Sequence, residues 1–382
     1  MANDAFDSTS GNAGQVRFFN PGPVWVRPQV LQALGGPMLS HRSQAFMDLY
    51  GRILEKLPKV FKTTGSAHTL ATSATGVWEA ALVSCVEGGP VLACCNGAFS
   101  DKWGEMSQRL GLETDILKVE WGKAVRADDV KKKLGEKKYK AVTVVHNETS
   151  TGTISDLASI AKTIRESSDA LVFADVVTSL AGTRVETDEW GLDVAVAGSQ
   201  KALALPPGIA VYAVSERALE AARKKKFRGL YLDLLDVEAF GKKKQNPTTP
   251  SLPLLYALDA QLDHILAEGV EARWARHHAM LAEVEAWAPK HGFKFFPEDG
   301  AHSPTVSSLM PPEGVNAEEL NKALKAAKWT TGSGYGKLKP TNIRIGHMGD
   351  VDVASVKAYL AAHVEAAEKV RSAVKTATGA GA

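Results

Sequence analysis

The residue with the clearest potential for chemistry in this sequence is Lys201. It interrupts DVAVAGSQKALALPPGIAVYAVS, an otherwise almost wholly apolar segment, although lysine is among the residues least often buried without a partner. Asp175 closes the preceding apolar run, ALVFAD. Because open α/β sheets bind ligands at the carboxyl ends of their strands, we expect both side chains at that edge. A desolvated amine there has a lowered pKa and attacks carbonyl carbons to form a Schiff base.

A Schiff-base lysine paired with an aspartate indicates the cofactor pyridoxal phosphate, whose ring nitrogen stays protonated beside an anion. Its phosphate needs a cradle. Ser73, Ala74, Thr75 and Gly76 stand directly before a helical run, where backbone N–H groups bind anions. Each feature alone has an ordinary explanation: a lysine reaching solvent at a strand end, a capping aspartate, or a plain N-cap. Only the combination favours a cofactor site.

Three further side chains are candidates for the same crevice. Phe99 follows the strand PVLACCN and is placed to stack on a pyridine ring, or simply to pack in the core. Thr149, in HNETSTG, directs a hydroxyl into the crevice. Arg344 lies in the alternating apolar strand NIRIG, where an arginine needs a carboxylate partner. If that partner is not protein, it is the substrate, held by a bidentate pair.

The elements that must position these residues follow an α/β pattern. Short apolar runs alternate with helical segments from Leu70 onward, as in βαβ units around a mostly parallel sheet. The predicted strands are PVLACCN, TDILKV, KAVTVVHN, ALVFADVV, DVAVAG and IAVYAVS. A long helical pattern runs from Leu252 past Trp287, with Gly269 as a weak break, and leads into a smaller α+β unit. We predict a flexible segment over 1–17, a large domain over 18–260, a small C-terminal domain over 261–374 and a frayed tail over 375–382.

Composition excludes several classes of function. The 382 residues carry 45 basic and 43 acidic side chains, a net charge of +2, so charge gives no reason to expect a nucleic-acid or membrane partner. Cys85, Cys94 and Cys95 form no CxxC pair, which argues against a disulfide framework and a zinc site, and no metal is predicted. The polar N-terminus lacks the apolar core of a signal peptide, and no run is long enough to span a bilayer. We expect a cytoplasmic protein.

Five segments in order, NPGPV, HNETSTG, FADVVTSLAG, AGSQKALALPPG and NIRIG, resemble the class V aminotransferases of fold type I. The similarity runs from about Phe18 to Gly349, and the subgroup it resembles most is the alanine or serine:glyoxylate (serine:pyruvate) aminotransferases. The resemblance implies pyridoxal phosphate as cofactor and a large domain with a mostly parallel seven-stranded sheet. It also implies a smaller C-terminal α+β domain and a homodimer whose two subunits share each active site.

The resemblance further assigns roles to single residues. Lys201 would hold the cofactor as a Schiff base and move a proton between the substrate Cα and the cofactor, and Asp175 would pair with the ring nitrogen. Arg344 would bind the α-carboxylate. The other implied contacts are Val177 beneath the ring, Phe99 above it, Thr149 at its edge, and Ser73, Ala74, Thr75, Gln200 and the partner's Thr249 around the phosphate.

Three positions depart from the family pattern. Relatives often have serine, glycine and histidine where this chain has the Ser73-Ala74-Thr75 cradle, and Asn20 replaces the opening glycine of a GPGP motif whose Gly22 would lie near the substrate. His41 and Arg42 occupy the place where some plant-type relatives put a tyrosine and an arginine across the dimer interface. A second arginine suits a substrate with an additional anionic group.

The leading hypothesis is therefore a ping-pong aminotransferase that uses alanine or serine as amino donor and glyoxylate or pyruvate as acceptor. The first alternative is a phosphoserine aminotransferase, in which Arg42 binds the phosphate of the substrate. A cysteine desulfurase, which needs a mobile nucleophilic cysteine, is a second. A binding subunit without activity is a third, although such proteins usually lose the lysine or its aspartate.

Overall fold

The computed structural model of the protein describes the backbone of residues 16–379 and the side chains of residues 16–373. The predicted flexible segment 1–17 therefore lies almost wholly outside the described residues. Of the predicted frayed tail, residues 375–379 continue the last helix and 380–382 lie outside the described residues. Within the described chain, no helix combines the length and the apolar character needed to cross a membrane.

The helices follow one another along the whole described chain. Their bounds are α1 Pro28–Ala33, α2 Gln44–Phe61, α3 Ala74–Cys85, α4 Ala98–Arg109, α5 Ala127–Glu136, α6 Leu157–Ser167, α7 Thr187–Trp190, α8 Glu216–Lys224, α9 Leu234–Gly241, α10 Leu252–Glu268, α11 Val270–Trp287, α12 Ala317–Ala326 and α13 Val353–Gly379. The strands are β1 Ser66–Leu70, β2 Val91–Cys95, β3 Thr114–Lys118, β4 Ala141–Val145, β5 Asn147–Glu148, β6 Thr153–Ile154, β7 Leu171–Asp175, β8 Val194–Gly198, β9 Ala210–Val214, β10 Lys294–Phe295, β11 Val306–Met310, β12 Gly332–Ser333 and β13 Ile343–Gly346.

The large sheet has seven strands in the order β1-β9-β8-β7-β4-β2-β3. Strand β9 runs antiparallel to β1 and β8, and the other neighbours pair in parallel. This confirms the predicted α/β class and the mostly parallel seven-stranded sheet. The six predicted strands are all present. Sequence reasoning missed β1 because its residues, SAHTL, include three polar side chains and form no apolar run.

The helical pattern from Leu252 forms two helices instead of one. Gly269 separates α10 from α11 with φ +87° and ψ 131°, a conformation that side-chain-bearing residues rarely adopt. The predicted domain boundary at residue 260 stays a prediction, and it falls inside α10. Buried side chains of α10 and the start of α11, as far as Trp274, pack in the core of the large sheet. From Met280 onward α11 packs in the second core.

That second core covers a small antiparallel sheet in the order β10-β11-β13-β12. Helices α11, α12 and α13 supply most of its apolar side chains. The chain start joins it as well, because the ring of Phe19 stacks on Tyr359 with centroids 4.1 Å apart. The backbone N–H of Gly346 donates to the carbonyl oxygen of Phe19 at 2.8 Å. Residues just after the described N-terminus thus lie against β13, the strand that carries Arg344.

A buried ion-pair cluster links the segment after β13 to the segment that carries Lys201. Asp350 accepts from Arg27 Nε and Arg273 Nη1, both at 2.7 Å, and both the Asp350 and Arg273 side chains are fully buried. Arg273 also donates from Nη2 to the backbone carbonyl of Ala202 at 3.1 Å. Burial raises the pKa of Asp350, but the two guanidinium groups outweigh it and hold that pKa well below its ordinary range.

We expect Asp350→Asn to lower the free energy of unfolding by about 1.5–3 kcal/mol, because it removes the buried anion shared by Arg27 and Arg273 and leaves Arg273 only the partly exposed Glu268, at 2.9 Å, as a counter-ion. Chemical denaturation of the cofactor-free protein near pH 7 measures the change. Asp169→Asn, a matched change at an exposed side chain, is expected to stay within about 0.5 kcal/mol of the parent protein. Equal effects of the two substitutions would contradict the assigned role of Asp350.

Candidate active site

One pocket lies at the carboxyl ends of β4 and β7 and the N-terminus of α3. It encloses about 420 Å³, open solvent at its mouth included, which is within the usual range for small-molecule sites. Nine of the predicted site residues line it: Ser73, Ala74, Thr75, Phe99, Thr149, Asp175, Val177, Gln200 and Lys201. Four more lining residues were not predicted: Trp78, Val145, Asn147 and Thr178.

Lys201 follows the end of β8, and only 8 % of its surface is exposed. Its Nζ donates a hydrogen bond to the carbonyl oxygen of Pro21. Burial, reinforced by the positive charge of Arg344 and opposed by the charges of Asp175 and Glu148, lowers the pKa of Lys201 to about 7. The amine is therefore substantially neutral near pH 7, which is the nucleophilic form.

Gly22 is the backbone neighbour of the amine. A Cβ on this residue would lie 2.6 Å from Cδ, Cε and Nζ of Lys201, and its φ is +125°. Both the close approach and the positive φ require glycine. The structure thus brings Gly22, predicted to lie near the substrate, into contact with the reactive end of Lys201.

Asp175 is the last residue of β7 and is 3 % exposed. Its Oδ1 accepts from the backbone N–H of Val177 at 2.8 Å. Burial raises the pKa of Asp175 to about 7, an effect that the Val177 N–H opposes and the charge of Glu148 reinforces. A carboxyl group in this state is stabilised as an anion by any cation placed in the pocket.

The N-terminus of α3 has the features of an anion cradle. Ser73 occupies the N-cap position, and its side chain makes no capping hydrogen bond to the helix. The hydroxyl and the first N–H groups of this twelve-residue helix are therefore not committed to each other. Ser73, Ala74 and Thr75 all face the pocket, so a phosphate there would meet helix donors and the positive end of the helix dipole.

Asn147 supplies a further test of whether a ring-bearing cofactor fits. Its Nδ2 donates to Thr305 Oγ1 at 2.8 Å, whereas its Oδ1 is buried without a hydrogen-bond partner. Asn147 also lines the pocket, and an orphaned buried acceptor is costly unless a ligand satisfies it. Together with the cradle, the carboxylate and the amine, this donor and acceptor set fits pyridoxal phosphate.

Glu148 is a buried carboxylate that sequence reasoning missed. It accepts from Ser100 N at 3.0 Å and from Ser150 Oγ at 2.6 Å, and it also accepts from the N–H of Phe99 at 3.2 Å. Glu148 thereby caps α4 and fixes the start of the helix that carries Phe99. The signal was visible in HNETSTG, where a carboxylate stands among small hydroxyl residues directly after a buried strand.

Arg344 flanks the pocket without belonging to its lining. Its Nε donates to the carbonyl of Ser333 at 2.8 Å and its Nη1 to the carbonyl of Thr149 at 3.1 Å. Burial lowers the pKa of Arg344 to about 10, so it stays cationic at neutral pH. Among residues 16–373 no carboxylate forms an ion pair with it, as expected for an arginine that is free to bind a ligand anion.

His41, Arg42 and Thr249 lie outside the pocket of their own chain. Arg42 is exposed and donates to the backbone carbonyl of Asn246 at 2.7 Å, and its guanidinium carbon lies 5.4 Å from the ring centroid of Phe240. Thr249 is exposed three residues beyond Asn246. Their predicted contributions to a partner's site stay predictions, but the structure does show Arg42 bound to the segment that leads to Thr249.

Comparison with known proteins agrees with this geometry. The family described as "Aminotransferase class-V" matches residues 29–346. The chain is 38 % identical to a serine–glyoxylate aminotransferase of Methylorubrum extorquens, over 91 % of this chain and 90 % of that protein. It is 35 % identical to an L-aspartate–glyoxylate aminotransferase of Paracoccus denitrificans, over 87 % and 86 % of the two chains.

A solved structure extends the comparison to the fold. The ureidoglycine–glyoxylate aminotransferase of Bacillus subtilis superposes with a TM-score of 0.87 at 30 % identity, and the match covers 93 % of each chain. The predicted family and cofactor are thereby confirmed. The chain belongs to the class V aminotransferases and is a transaminase of fold type I whose cofactor is pyridoxal phosphate.

Proposed function

We propose that this aminotransferase moves the amino group of alanine or serine to glyoxylate or pyruvate by a ping-pong mechanism. The observation that carries the proposal is the position of Arg344, a cation without an ion-pair partner in the described chain. Its Nη1 donates to the carbonyl of Thr149, which lines the same pocket as Lys201. One such cation suits substrates with a single carboxylate. The names of similar proteins add support, because three of them name glyoxylate as a substrate.

Different residues of this chain are assigned to binding the cofactor and to transferring the proton. When bound, pyridoxal phosphate supplies an aldehyde that condenses with amines and a ring that withdraws electrons from the substrate Cα. Ser73, Ala74 and Thr75 would hold its phosphate at the N-terminus of α3, and Asp175 would supply the negative charge that keeps the ring nitrogen protonated. Nζ of Lys201, with a pKa of about 7, is suited to take a proton from the substrate Cα and return it to the cofactor.

Arg344 orients the substrate for that proton transfer. Its Nε and Nη1 are held by backbone carbonyls, so the guanidinium plane is fixed before the substrate arrives. When Arg344 binds the α-carboxylate, the position of the substrate is fixed at one end, and the Cα–H bond can be directed at Nζ of Lys201. Since donor and acceptor both carry this carboxylate, the same contact serves both halves of the reaction.

The phosphoserine alternative has less support. It needs a second cation for the phosphate, and Arg42 is its candidate. In this chain Arg42 donates to the carbonyls of Asn246 and, at 3.5 Å, of Pro247. Unlike the contacts of Arg344, which place it at the edge of the pocket, these contacts hold Arg42 on a surface segment away from the pocket of its own chain. We therefore propose that Arg42 positions the segment leading to Thr249 instead of binding a substrate phosphate.

The desulfurase alternative is disfavoured by the state of the thiols. Cys85, Cys94 and Cys95 are free and buried. Burial raises the pKa of Cys85 and Cys95 to about 12 and that of Cys94 further, so no thiolate nucleophile is available near neutral pH. Free thiols are compatible with the predicted cytoplasmic location.

We further propose that the protein acts as a homodimer. Phe227 and Leu230 are 76 % and 80 % exposed, and such a concentration of large apolar side chains on one surface segment favours association. The neighbouring Tyr231 donates to the carbonyl of Ala71 at 3.1 Å, two residues before the cradle. A partner that covers this segment would lie beside the phosphate site, where Thr249 of the partner subunit is predicted to contribute.

Steady-state assays of donor and acceptor pairs test the proposed substrates. Alanine, serine, aspartate and phosphoserine are each assayed with glyoxylate, pyruvate and 2-oxoglutarate. We expect the largest kcat/KM for alanine or serine with glyoxylate or pyruvate, by at least about tenfold over pairs that contain a second anionic group. A preference for phosphoserine with 2-oxoglutarate would reject the proposal and favour the alternative.

A further inference from the structure

Tyr335 connects two parts of the site that the reaction described above treats separately. Its ring centroid lies 5.1 Å from that of Phe99, which lines the cofactor pocket. The guanidinium carbon of Arg344 lies 5.4 Å from the same Tyr335 ring. Tyr335 is 42 % exposed, so one side of the ring faces the pocket wall and the arginine while the other faces solvent. It therefore stands at the outer boundary of the substrate site.

The segment that carries Tyr335 is attached to the large-sheet side of the molecule. It connects β12 to β13, and its Gly336 has φ +56°, in the region that favours glycine. Nζ of Lys337 lies 4.4 Å from the ring centroid of Trp121. The indole N–H of Trp121 donates to Asp101 Oδ2 on α4 at 3.2 Å, and α4 also carries Phe99. These contacts tie the segment to α4, beside Phe99 at the edge of the pocket.

We propose that Tyr335 is a specificity-determining residue, which covers Arg344 and limits the amino acids accepted by this site to small side chains. This inference rests on the proposed function and deepens it. The ring keeps water from one face of Arg344, and this favours pairing of the guanidinium with the substrate carboxylate. The same ring continues the wall begun by Phe99, so a bulky side chain beside the bound carboxylate would have to displace it.

The two roles predict different results for three substitutions. Tyr335→Phe keeps the ring and should behave like the parent enzyme. Tyr335→Leu keeps apolar bulk but removes the aromatic face, so the KM for alanine should rise by about tenfold while larger donors stay poor. Tyr335→Ala removes both, so the KM for alanine should rise similarly and kcat/KM for leucine or phenylalanine should increase by at least about tenfold.

The experiment measures kcat and KM of the cofactor-loaded parent enzyme and the three variants with alanine, leucine and phenylalanine. Melting temperatures and the cofactor absorption band are recorded for each. The proposal requires kcat for alanine to stay within about threefold of the parent value in all variants, because Tyr335 is not assigned to the proton transfer. It is overturned if Tyr335→Ala leaves the ratio of kcat/KM for leucine and alanine unchanged.

The outcome also separates this proposal from the proposed function. If the parent enzyme transaminates neither alanine nor serine, the proposed function has failed irrespective of Tyr335. If the parent enzyme is active with alanine and the ratio does not change in a folded, cofactor-loaded Tyr335→Ala protein, only the Tyr335 proposal has failed. Should Tyr335→Ala not fold, an unchanged KM for alanine in Tyr335→Leu overturns the contact with Arg344.

Discussion

Replacing Lys201 with alanine is expected to lower kcat by about 10⁴-fold, the upper end of what a positioned acid–base group contributes. Among the described residues that line the pocket, Lys201 alone carries an amine. The substitution removes that amine, and with it both the attachment point of the cofactor and the proposed proton carrier. The visible absorption band of the lysine-bound cofactor should disappear from the purified protein. Cofactor added later should still bind weakly, because Ser73, Asp175 and the N-terminus of α3 are unchanged.

Lys131→Ala is the matched control, since Lys131 is exposed on α5 and remote from the pocket. Its absorption band and kcat should equal those of the parent protein. Turnover by Lys201→Ala within about tenfold of the parent enzyme would contradict the assigned role. Restoration of activity by a small external amine would support it, because such an amine replaces the missing proton carrier.

Replacing Asp175 with asparagine is expected to lower kcat by about 10²-fold or more, because a neutral amide does not keep the cofactor ring nitrogen protonated. The geometry should be preserved, since the amide oxygen of asparagine still accepts from the N–H of Val177. The measurement is single-turnover reaction with alanine, in which the chemical step should slow while saturation occurs at a similar alanine concentration. An unchanged rate would contradict the proposed ring contact.

Asp175→Asn is expected to stabilise the cofactor-free protein, although it slows the reaction. Burial raises the pKa of Asp175 from 3.8 to about 7, so the folded state binds this proton more tightly than the unfolded state. Ionised Asp175 therefore destabilises the folded state. This destabilisation grows from about pH 4, where the unfolded carboxyl begins to lose its proton, and reaches its full value above about pH 7. Asp175→Asn should therefore raise the free energy of unfolding at pH 8 by up to about 4 kcal/mol and change little at pH 4. Lower stability of the variant at pH 8 would contradict this burial.

Most strands of the large sheet could be predicted from the sequence, because parallel strands buried on both faces consist almost entirely of apolar residues. Strands β2, β4, β7 and β8 are fully buried and correspond to near-continuous apolar runs. Asp175 ends β7, so its position at the carboxyl edge follows from the strand alone. Edge strand β1 cannot be predicted in this way, because three of its five residues are polar, and it is recognised only through its pairing with β9.

Other features depend on contacts between distant parts of the chain, and no local pattern reports these. The role of Asp350 follows only from the structure, in which the guanidinium groups of Arg27 and Arg273 both donate to its carboxylate. Arg42 has a side chain suited to binding an anionic substrate, yet it lies outside the pocket of its own chain and donates to the backbone carbonyl of Asn246. Tyr335 stands in a segment rich in glycine and lysine, GSGYGKLK, which reads as an ordinary connection between strands.

Lys201 is assigned as the residue of this pocket that holds the cofactor. Reduction of the cofactor-loaded protein with borohydride, followed by peptide mass spectrometry, tests it directly, because reduction makes the link between lysine and cofactor permanent. We predict that the added phosphopyridoxyl mass is found on the peptide that contains Lys201 and on no other lysine. Attachment to a different lysine, or an unmodified Lys201 peptide in protein that retains the visible band, would contradict the account.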